Sequence, residues 1–498
     1  MKYQSTRNKS IAVDSAYAIK SGISPEGGLY VPESVPQVSL SDIKNIADMK
    51  YTQRAAYILG LYLSDYTADE LTNCAESAYS VSKFESENTA PLYSLDDKTS
   101  VLELWHGPTC AFKDMALQIL PHLLTNAIRK TGESHEVVIL VATSGDTGKA
   151  ALEGFKDVKG TKIQVFYPVD GVSQIQKLQM TTQEGSNVCV CAVKGNFDDA
   201  QTGVKKIFTN EDYKSELAKK GYVLSSANSI NWGRLAPQIV YYFSAYCDML
   251  ASGKITLGDK INIVVPTGNF GNILAAYYAK LMGLPVNKLI CASNSNNVLT
   301  EFIETGVYDR NRSFYTTVSP SMDILISSNL ERLLYHLSGC DDKLIAGYMK
   351  DLNEKGTYTV SDEIKAKLNE SFVGGFASEE DTLKTISETF KNHNYVIDTH
   401  TAVAVNVYGK YKEATGDVTP TVIASTANPF KFNEAVISAV APEVDLSDKT
   451  EFDLLDILSE KGNIKIPVQL DELRGKTPRF NTVCEKENMI KETDKFLV

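Results

Sequence analysis

Several features that would assign this chain at once are missing from it. No run approaches the ~18 consecutive apolar residues of a membrane span. The nearest, Pro237 to Leu250, is broken by Gln238, Ser244 and Asp248. The opening Met1-Lys2-Tyr3-Gln4-Ser5-Thr6-Arg7 lacks the apolar centre of a secretory signal, so no membrane association is expected. Basic charge is not in excess: 50 Lys and Arg against 62 Asp and Glu leave a net −12, a poor match to a nucleic-acid backbone. The eight cysteines are scattered, and only Cys189 and Cys191 lie close together. They alternate with Val188 and Val190 as in a buried strand, so neither a disulfide framework nor a redox pair is expected, and a reducing cytoplasm is. The six histidines show no H-E-x-x-H spacing, and no metal site is expected. Repeats and low-complexity segments are also lacking.

What remains is an ordinary globular balance, 43% hydrophobic and 22% charged over 498 residues. That length suits roughly three domains, with cores large enough to need no covalent staple. Up to about residue 90 the pattern is helical, with apolar residues at helical spacing over 39–49, 54–63 and 68–79. From about residue 100, short β-branched runs alternate with helix-length patterns. The runs are 137–141, 163–166, 188–193, 261–265 and 289–292, followed late by 421–424. Continuous apolar strands separated by helices predict an α/β fold with doubly wound, mostly parallel sheets. Residues 320–415 read as largely helical, and the charged tail after about 443 offers no recognisable chemistry.

In such sheets ligands bind beyond the carboxyl ends of the strands. Three strand-to-helix loops are rich in small polar residues: Thr143-Ser144-Gly145-Asp146-Thr147-Gly148-Lys149, Pro266-Thr267-Gly268-Asn269-Phe270-Gly271-Asn272, and Ser425-Thr426-Ala427-Asn428-Pro429. Small side chains let backbone N–H groups approach an anion at a helix N-terminus. The first loop is not a P-loop, because that motif needs Gly where Thr143 stands and Ser or Thr where Ala150 stands. No segment fits G-x-G-x-x-G. A fourth segment, His106-Gly107-Pro108-Thr109-Cys110-Ala111-Phe112-Lys113-Asp114, puts a lysine at a helix start. Buried lysines shift their pKa readily and serve as Schiff-base formers and proton carriers. Residue chemistry alone thus reaches an α/β enzyme with anion-binding loops and a candidate reactive lysine.

Taken together these segments resemble the threonine synthases, pyridoxal-phosphate enzymes of the tryptophan-synthase-β-like fold. Ser5-Thr6-Arg7 and Gly27-Gly28-Leu29-Tyr30-Val31-Pro32 match the family's N-terminal signature. The lysine segment, the two glycine loops, Ser229-Ile230-Asn231-Trp232 with Arg234, and Ser319-Pro320-Ser321-Met322-Asp323-Ile324-Leu325 carry the match onward. The resemblance implies conversion of O-phospho-L-homoserine and water to L-threonine and phosphate, with pyridoxal 5'-phosphate as cofactor. It implies that Lys113 bonds the cofactor and moves protons. Gly268, Asn269, Phe270, Gly271 and Asn272 would cradle the cofactor phosphate. Thr426, or its neighbour Ser425, would face the pyridine nitrogen. Thr143, Ser144, Gly145, Asp146 and Thr147 would bind the substrate α-carboxylate, with Asp146 either orienting the loop through backbone N–H groups or touching the cofactor ring oxygen when protonated. Lys149, Ser229, Asn231 and Arg234 are the candidates for the substrate phosphate. The implied division is a helical N-terminal region (1–95), a large cofactor-binding domain (96–134 and 216–498) and a small α/β substrate-binding domain (135–215). A monomer is expected. The rival readings are a threonine or serine dehydratase on the same fold, and a catalytically silent relative that binds an amino-acid phosphate.

Overall fold

The computed structural model describes residues 1–143, 145–169 and 172–497. Two parallel sheets organise the chain. The larger has six strands in the order Phe372–Phe376, Val286–Ser293, Ile261–Pro266, Thr421–Ser425, Thr99–Glu103 and Leu92–Ser94. All neighbours are parallel except the last pair, a short antiparallel edge. The smaller has five parallel strands, in the order Val483–Cys484, Val188–Val193, Thr161–Pro168, Glu136–Ala142 and Tyr222–Ser225. Helices cover both, which is why strands such as Ile261–Pro266 are buried along their whole length and carry apolar residues on both faces.

The predicted strands at 137–141, 163–166, 188–193, 261–265, 289–292 and 421–424 all lie within observed ones. Three departures have physical causes. Residues 320–415 are not helical throughout: Phe372–Phe376 (Phe-Val-Gly-Gly-Phe) forms the edge of the larger sheet. Its glycines hide the strand signal, and Gly374 is needed because a Cβ there would stand 3.0 Å from the Thr300 Cα. The boundaries 135–215 stop short, since the smaller sheet takes its edge strands from Tyr222–Ser225 and Val483–Cys484. The charged tail is therefore structural. Its last helix, Met489–Leu497, buries Met489 and Leu497 against that sheet.

The N-terminal region contains the expected helices Leu40–Ala47, Tyr51–Tyr62 and Ala68–Ala78, two of them started by Ser39 and Thr67 capping boxes. It also contains a small antiparallel sheet of Tyr3–Ser5, Asn8–Val13 and Tyr30–Pro32. The helix Trp232–Ala251 carries almost no exposed residue and packs against both this region and the larger sheet's helix Gly271–Leu281. Among the described residues no helix is long and apolar enough to cross a membrane.

Candidate active site

The three neighbouring strands Ile261–Pro266, Thr421–Ser425 and Thr99–Glu103 end side by side, and each candidate loop of the larger sheet leaves from one of these carboxyl ends. The lysine segment is strapped to the Ser425–Asn428 loop by backbone contacts. The Phe112 N–H donates to the Thr426 carbonyl at 2.8 Å, the Asn428 N–H to the Cys110 carbonyl at 3.0 Å, and Ala111 bridges Ala427. Gly107 is required in the turn because a Cβ there would stand 2.6 Å from the Asp114 side chain. The buried Asp114 accepts the Thr109 N–H and hydroxyl, both at 2.8 Å. Burial pushes its carboxyl up to about 7 against those two bonds. The segment is thereby fixed, and Lys113 emerges at the first turn of a short helix.

The Lys113 Nζ lies 3.8 Å from the Asp146 Oδ2 and 4.8 Å from the centre of the Phe112 ring. Burial lowers its pKa; Asp146 opposes this, while Arg234 and Lys431 add to it. Asp146 begins the helix Asp146–Phe155 and is itself buried. Against the penalty of burial, Lys431 and Lys113 hold its carboxyl below the usual range. The Lys431 Nζ stands 3.1 Å from the Asp146 Oδ1, and the Gln176 Nε2 donates to the same oxygen at 2.8 Å. Asp146 is thus the shared partner of two lysines and a glutamine.

Around it the Thr143 hydroxyl accepts the N–H groups of Gly145 and Gly148, both at 3.0 Å. Gly145 has φ 151° and ψ −105°, and a Cβ would stand 2.7 Å from the Gln176 side chain. Thr147 is half-buried in the first turn of this helix, where Thr143 takes the Gly148 N–H. Ser144 lies outside the described residues. Lys149 points away: its Nζ is held by the Glu153 Oε2 at 2.9 Å and the Gln183 Oε1 at 2.5 Å.

The second loop forms a cradle. Phe270 adopts a left-handed φ of 61° just before the helix Gly271–Leu281, whose start has no side-chain cap. Such a backbone state in a bulky residue persists only where its surroundings enforce it. The Gly268 carbonyl accepts the Ser327 hydroxyl at 2.8 Å, and the carbonyl of the exposed Asn269 accepts the Asn329 N–H and Nδ2, at 3.1 and 3.0 Å. A Cβ at Gly268 would stand 2.7 Å from the Ser321 carbonyl oxygen, so the Ser319–Leu325 segment roofs the loop. The Asn272 Oδ1 accepts the hydroxyls of Tyr241, at 2.7 Å, and Tyr242. Its Nδ2, although buried, has no partner among the described residues.

Arg234 sits in the first turn of Trp232–Ala251, 3% exposed. Its Nη1 donates to the Ala227 carbonyl at 2.5 Å, and its buried Nε has no partner among the described residues. Burial brings its pKa down to about 10. Asn231 is occupied as the cap of this helix: Oδ1 accepts the Gly233 N–H, and Nδ2 donates to the Ile19 and Ser226 carbonyls. Ser229 is half-buried in the loop before it. The Ser425 hydroxyl is held by the Trp105 Nε1 and by Thr401, both at 2.9 Å, whereas Thr426 contributes its carbonyl to the strap.

Unpartnered buried donors cost free energy unless an anion completes them. Asn272 Nδ2, Arg234 Nε and the N–H groups at the starts of the helices Gly271–Leu281 and Asp146–Phe155 are a donor set suited to a phosphate and a carboxylate. The residues therefore fit a phosphate-bearing cofactor.

Sequence reasoning missed Lys431, Gln176, Asn329 and Arg332. Arg332 is fully buried, donating to the Tyr30 carbonyl at 2.9 Å and to the Asn329 Oδ1 at 2.5 Å. Its neighbour Glu331 accepts Arg7 Nε and Nη2 at 2.8 and 2.7 Å and the Thr6 hydroxyl at 2.5 Å. The N-terminal Ser-Thr-Arg segment thus reaches the phosphate cradle through Glu331, Arg332 and Asn329. The matched N-terminal signature was the available signal, and its partners more than 300 residues away could not be read from it.

Comparison with known proteins agrees with this geometry. Residues 2–79 match the threonine synthase N terminus, residues 95–425 the pyridoxal-phosphate dependent enzyme family, and residues 401–493 the threonine synthase C-terminal family. The chain is 41% identical to human threonine synthase-like 1 over 85% of its own length, and spans 57% of that longer protein. It is 37% identical to the threonine synthase of Schizosaccharomyces pombe, covering 95% of this chain and 98% of that one. The PLP-bound threonine synthase of Brucella melitensis superposes with a TM-score of 0.87 at 34% identity, over 100% of this chain and 98% of the other. With the fold, the half-buried lysine and three family matches in agreement, the chain belongs to the threonine synthase family of pyridoxal-phosphate-dependent enzymes.

Proposed function

We propose that this chain converts O-phospho-L-homoserine and water into L-threonine and phosphate, the last step of threonine biosynthesis, as a carbon–oxygen lyase. The observation that carries this reading is the half-buried Lys113 amine, 3.8 Å from the Asp146 carboxylate, on a segment leaving the same edge of the sheet as the phosphate-type cradle at Gly268–Asn272. Pyridoxal phosphate, when bound, supplies an electron sink for negative charge at the substrate carbons. Gly268 through Asn272 would hold its phosphate with backbone N–H groups and the Asn272 Nδ2. Thr426 would face its pyridine nitrogen, a role supported by the prior engagement of the Ser425 hydroxyl.

Lys113 is the proton carrier. A desolvated amine gives up its charge readily and can take a proton from the substrate α-carbon, then from the β-carbon, and return protons at the γ- and α-carbons. The helix start at Gly145–Thr147 holds the α-carboxylate. The helix N-terminus there favours the anion, while Lys431 balances the charge on Asp146. Arg234 holds the γ-phosphate, because its unpartnered Nε offers a charge-assisted bond. The occupied amide of Asn231 and the paired Lys149 leave them as supports for the neighbouring backbone. The eight free thiols fit a reducing cytoplasm, and sedimentation should give a monomer.

The test is direct. Purified protein with pyridoxal phosphate should release phosphate and threonine in equal amounts from O-phosphohomoserine. Release of 2-oxobutanoate as the dominant product, or faster deamination of threonine or serine, would replace this reading with dehydration.

A further inference from the structure

We propose that Lys431 is a positioning residue for Lys113: it grips the Asp146 carboxylate from the far side and so fixes where the Lys113 amine stands. The inference rests on Lys113 being the reactive lysine. Lys431 lies in the 3-10 turn Pro429–Phe432, started by Asn428, whose Oδ1 accepts the Phe430 N–H at 3.1 Å. Its side chain is fully buried, 0% exposed. An ammonium group has three protons, and three acceptors meet this one: the Asp146 Oδ1 at 3.1 Å, the Thr109 carbonyl at 3.3 Å, and the Gln179 Oε1. Those acceptors come from three different places: the helix of the smaller sheet that begins at Asp146, the helix Gln174–Thr181, and the lysine segment itself. A cation with every proton taken by protein is not arranged to bind ligand directly. Its effect passes through Asp146, whose other oxygen faces Lys113.

The charged groups around Lys113 are Asp146 from its helix, Arg234 from Trp232–Ala251, Lys431 from its turn, and Asp114 from Lys113's own helix. Arg234 and Lys431 place two further cations near the first. They favour loss of the Lys113 proton, while Asp146 keeps the amine in place.

Removal of Lys431 has two consequences of the same sign. The Asp146 charge is left to Lys113 alone, and the repulsion from Lys431 disappears. Both keep the proton on Lys113. An opposite charge within ~4–6 Å shifts a pKa by about 1–3 units, so at neutral pH the reactive, uncharged fraction of Lys113 should fall roughly tenfold or more.

The experiment is trace acetylation of the full-length, cofactor-free chain with acetic anhydride across pH, with the Lys113 peptide quantified by mass. In Lys431→Met the midpoint for Lys113 should rise by about one unit or more. In Lys431→Arg, which keeps the charge, it should stay near wild type, and in Asp146→Asn it should fall. In the holoenzyme the acid limb of the kcat profile should move the same way, because Lys113 is a free amine in the substrate complex. A folded Lys431→Met with an unchanged Lys113 profile overturns the proposal, as does Lys431→Arg shifting as far as Lys431→Met. If Lys431→Met does not fold, Gln179→Leu, which loosens Lys431 without touching Lys113, should raise the midpoint by a smaller amount, and an unmoved midpoint there overturns it equally. Labelling needs no substrate, so this outcome is independent of which amino acid the enzyme consumes.

Discussion

Replacing Arg234 by leucine separates the two anion sites. The guanidinium is buried, makes one bond to the Ala227 carbonyl, and leaves its Nε unpartnered among the described residues. Among the described residues no carboxylate pairs with it, so its removal strands no buried charge there and the fold should hold. One charge-assisted hydrogen bond contributes about 1.5–3 kcal/mol, and ~1.4 kcal/mol corresponds to tenfold. The KM for O-phosphohomoserine should therefore rise roughly 10- to 150-fold, read by phosphate release. Inhibition by inorganic phosphate should weaken in parallel. The visible absorbance of bound cofactor should persist, because the cofactor phosphate is assigned to the neighbouring loop. That separation is narrow: Gln238, which donates to the Arg234 carbonyl at 2.7 Å, would stand 3.8 Å from a Cβ at Gly271. Loss of cofactor in Arg234→Leu, or unchanged kinetics with the phosphorylated substrate, would refute the assignment of this arginine.

Three further outcomes follow from the same geometry. Borohydride reduction of the loaded enzyme should place the pyridoxyl group on Lys113, detected by peptide mass. Lys113→Ala should lower kcat by at least the roughly 10²–10⁴-fold expected for a lost proton carrier, and label on another lysine would show that Lys113 is misassigned. Gly271→Asp should weaken cofactor binding by charge alone, because a Cβ there meets only Asn329 at 3.5 Å and Gln238 at 3.8 Å. At an effective dielectric of about 20 and about 6 Å, a like charge costs roughly 3 kcal/mol, or about a hundredfold in affinity. Gly271→Ala, the uncharged control, should stay near wild type, and an equal loss in both would show that shape rather than charge is at work.

Strands such as Ile261–Pro266 were legible because a sheet covered on both faces demands unbroken apolar runs. The glycine loops were legible because close approach to an anion demands small residues. Phe372–Phe376 was not, since Gly374 and Gly375 erase the pattern that marks a strand. The tail strand Val483–Cys484 is too short to register and gains its meaning only from pairing with Val188–Val193. Lys431 was hidden for a different reason. As one lysine among many it carries no local mark, and its partners Asp146, Thr109 and Gln179 all lie more than 250 residues earlier in the chain. Asp146 illustrates the same limit: Lys113 and Lys431, which hold its carboxyl below the usual range, come from distant parts of the chain.

The central claim is that this chain makes threonine by adding water at the β-carbon after phosphate leaves the γ-carbon. Turnover of O-phosphohomoserine in heavy-oxygen water tests it most directly. Threonine formed there should carry one heavy oxygen, in its hydroxyl group, with one phosphate released per threonine. Threonine with an unlabelled hydroxyl, or phosphate released without threonine, would contradict it.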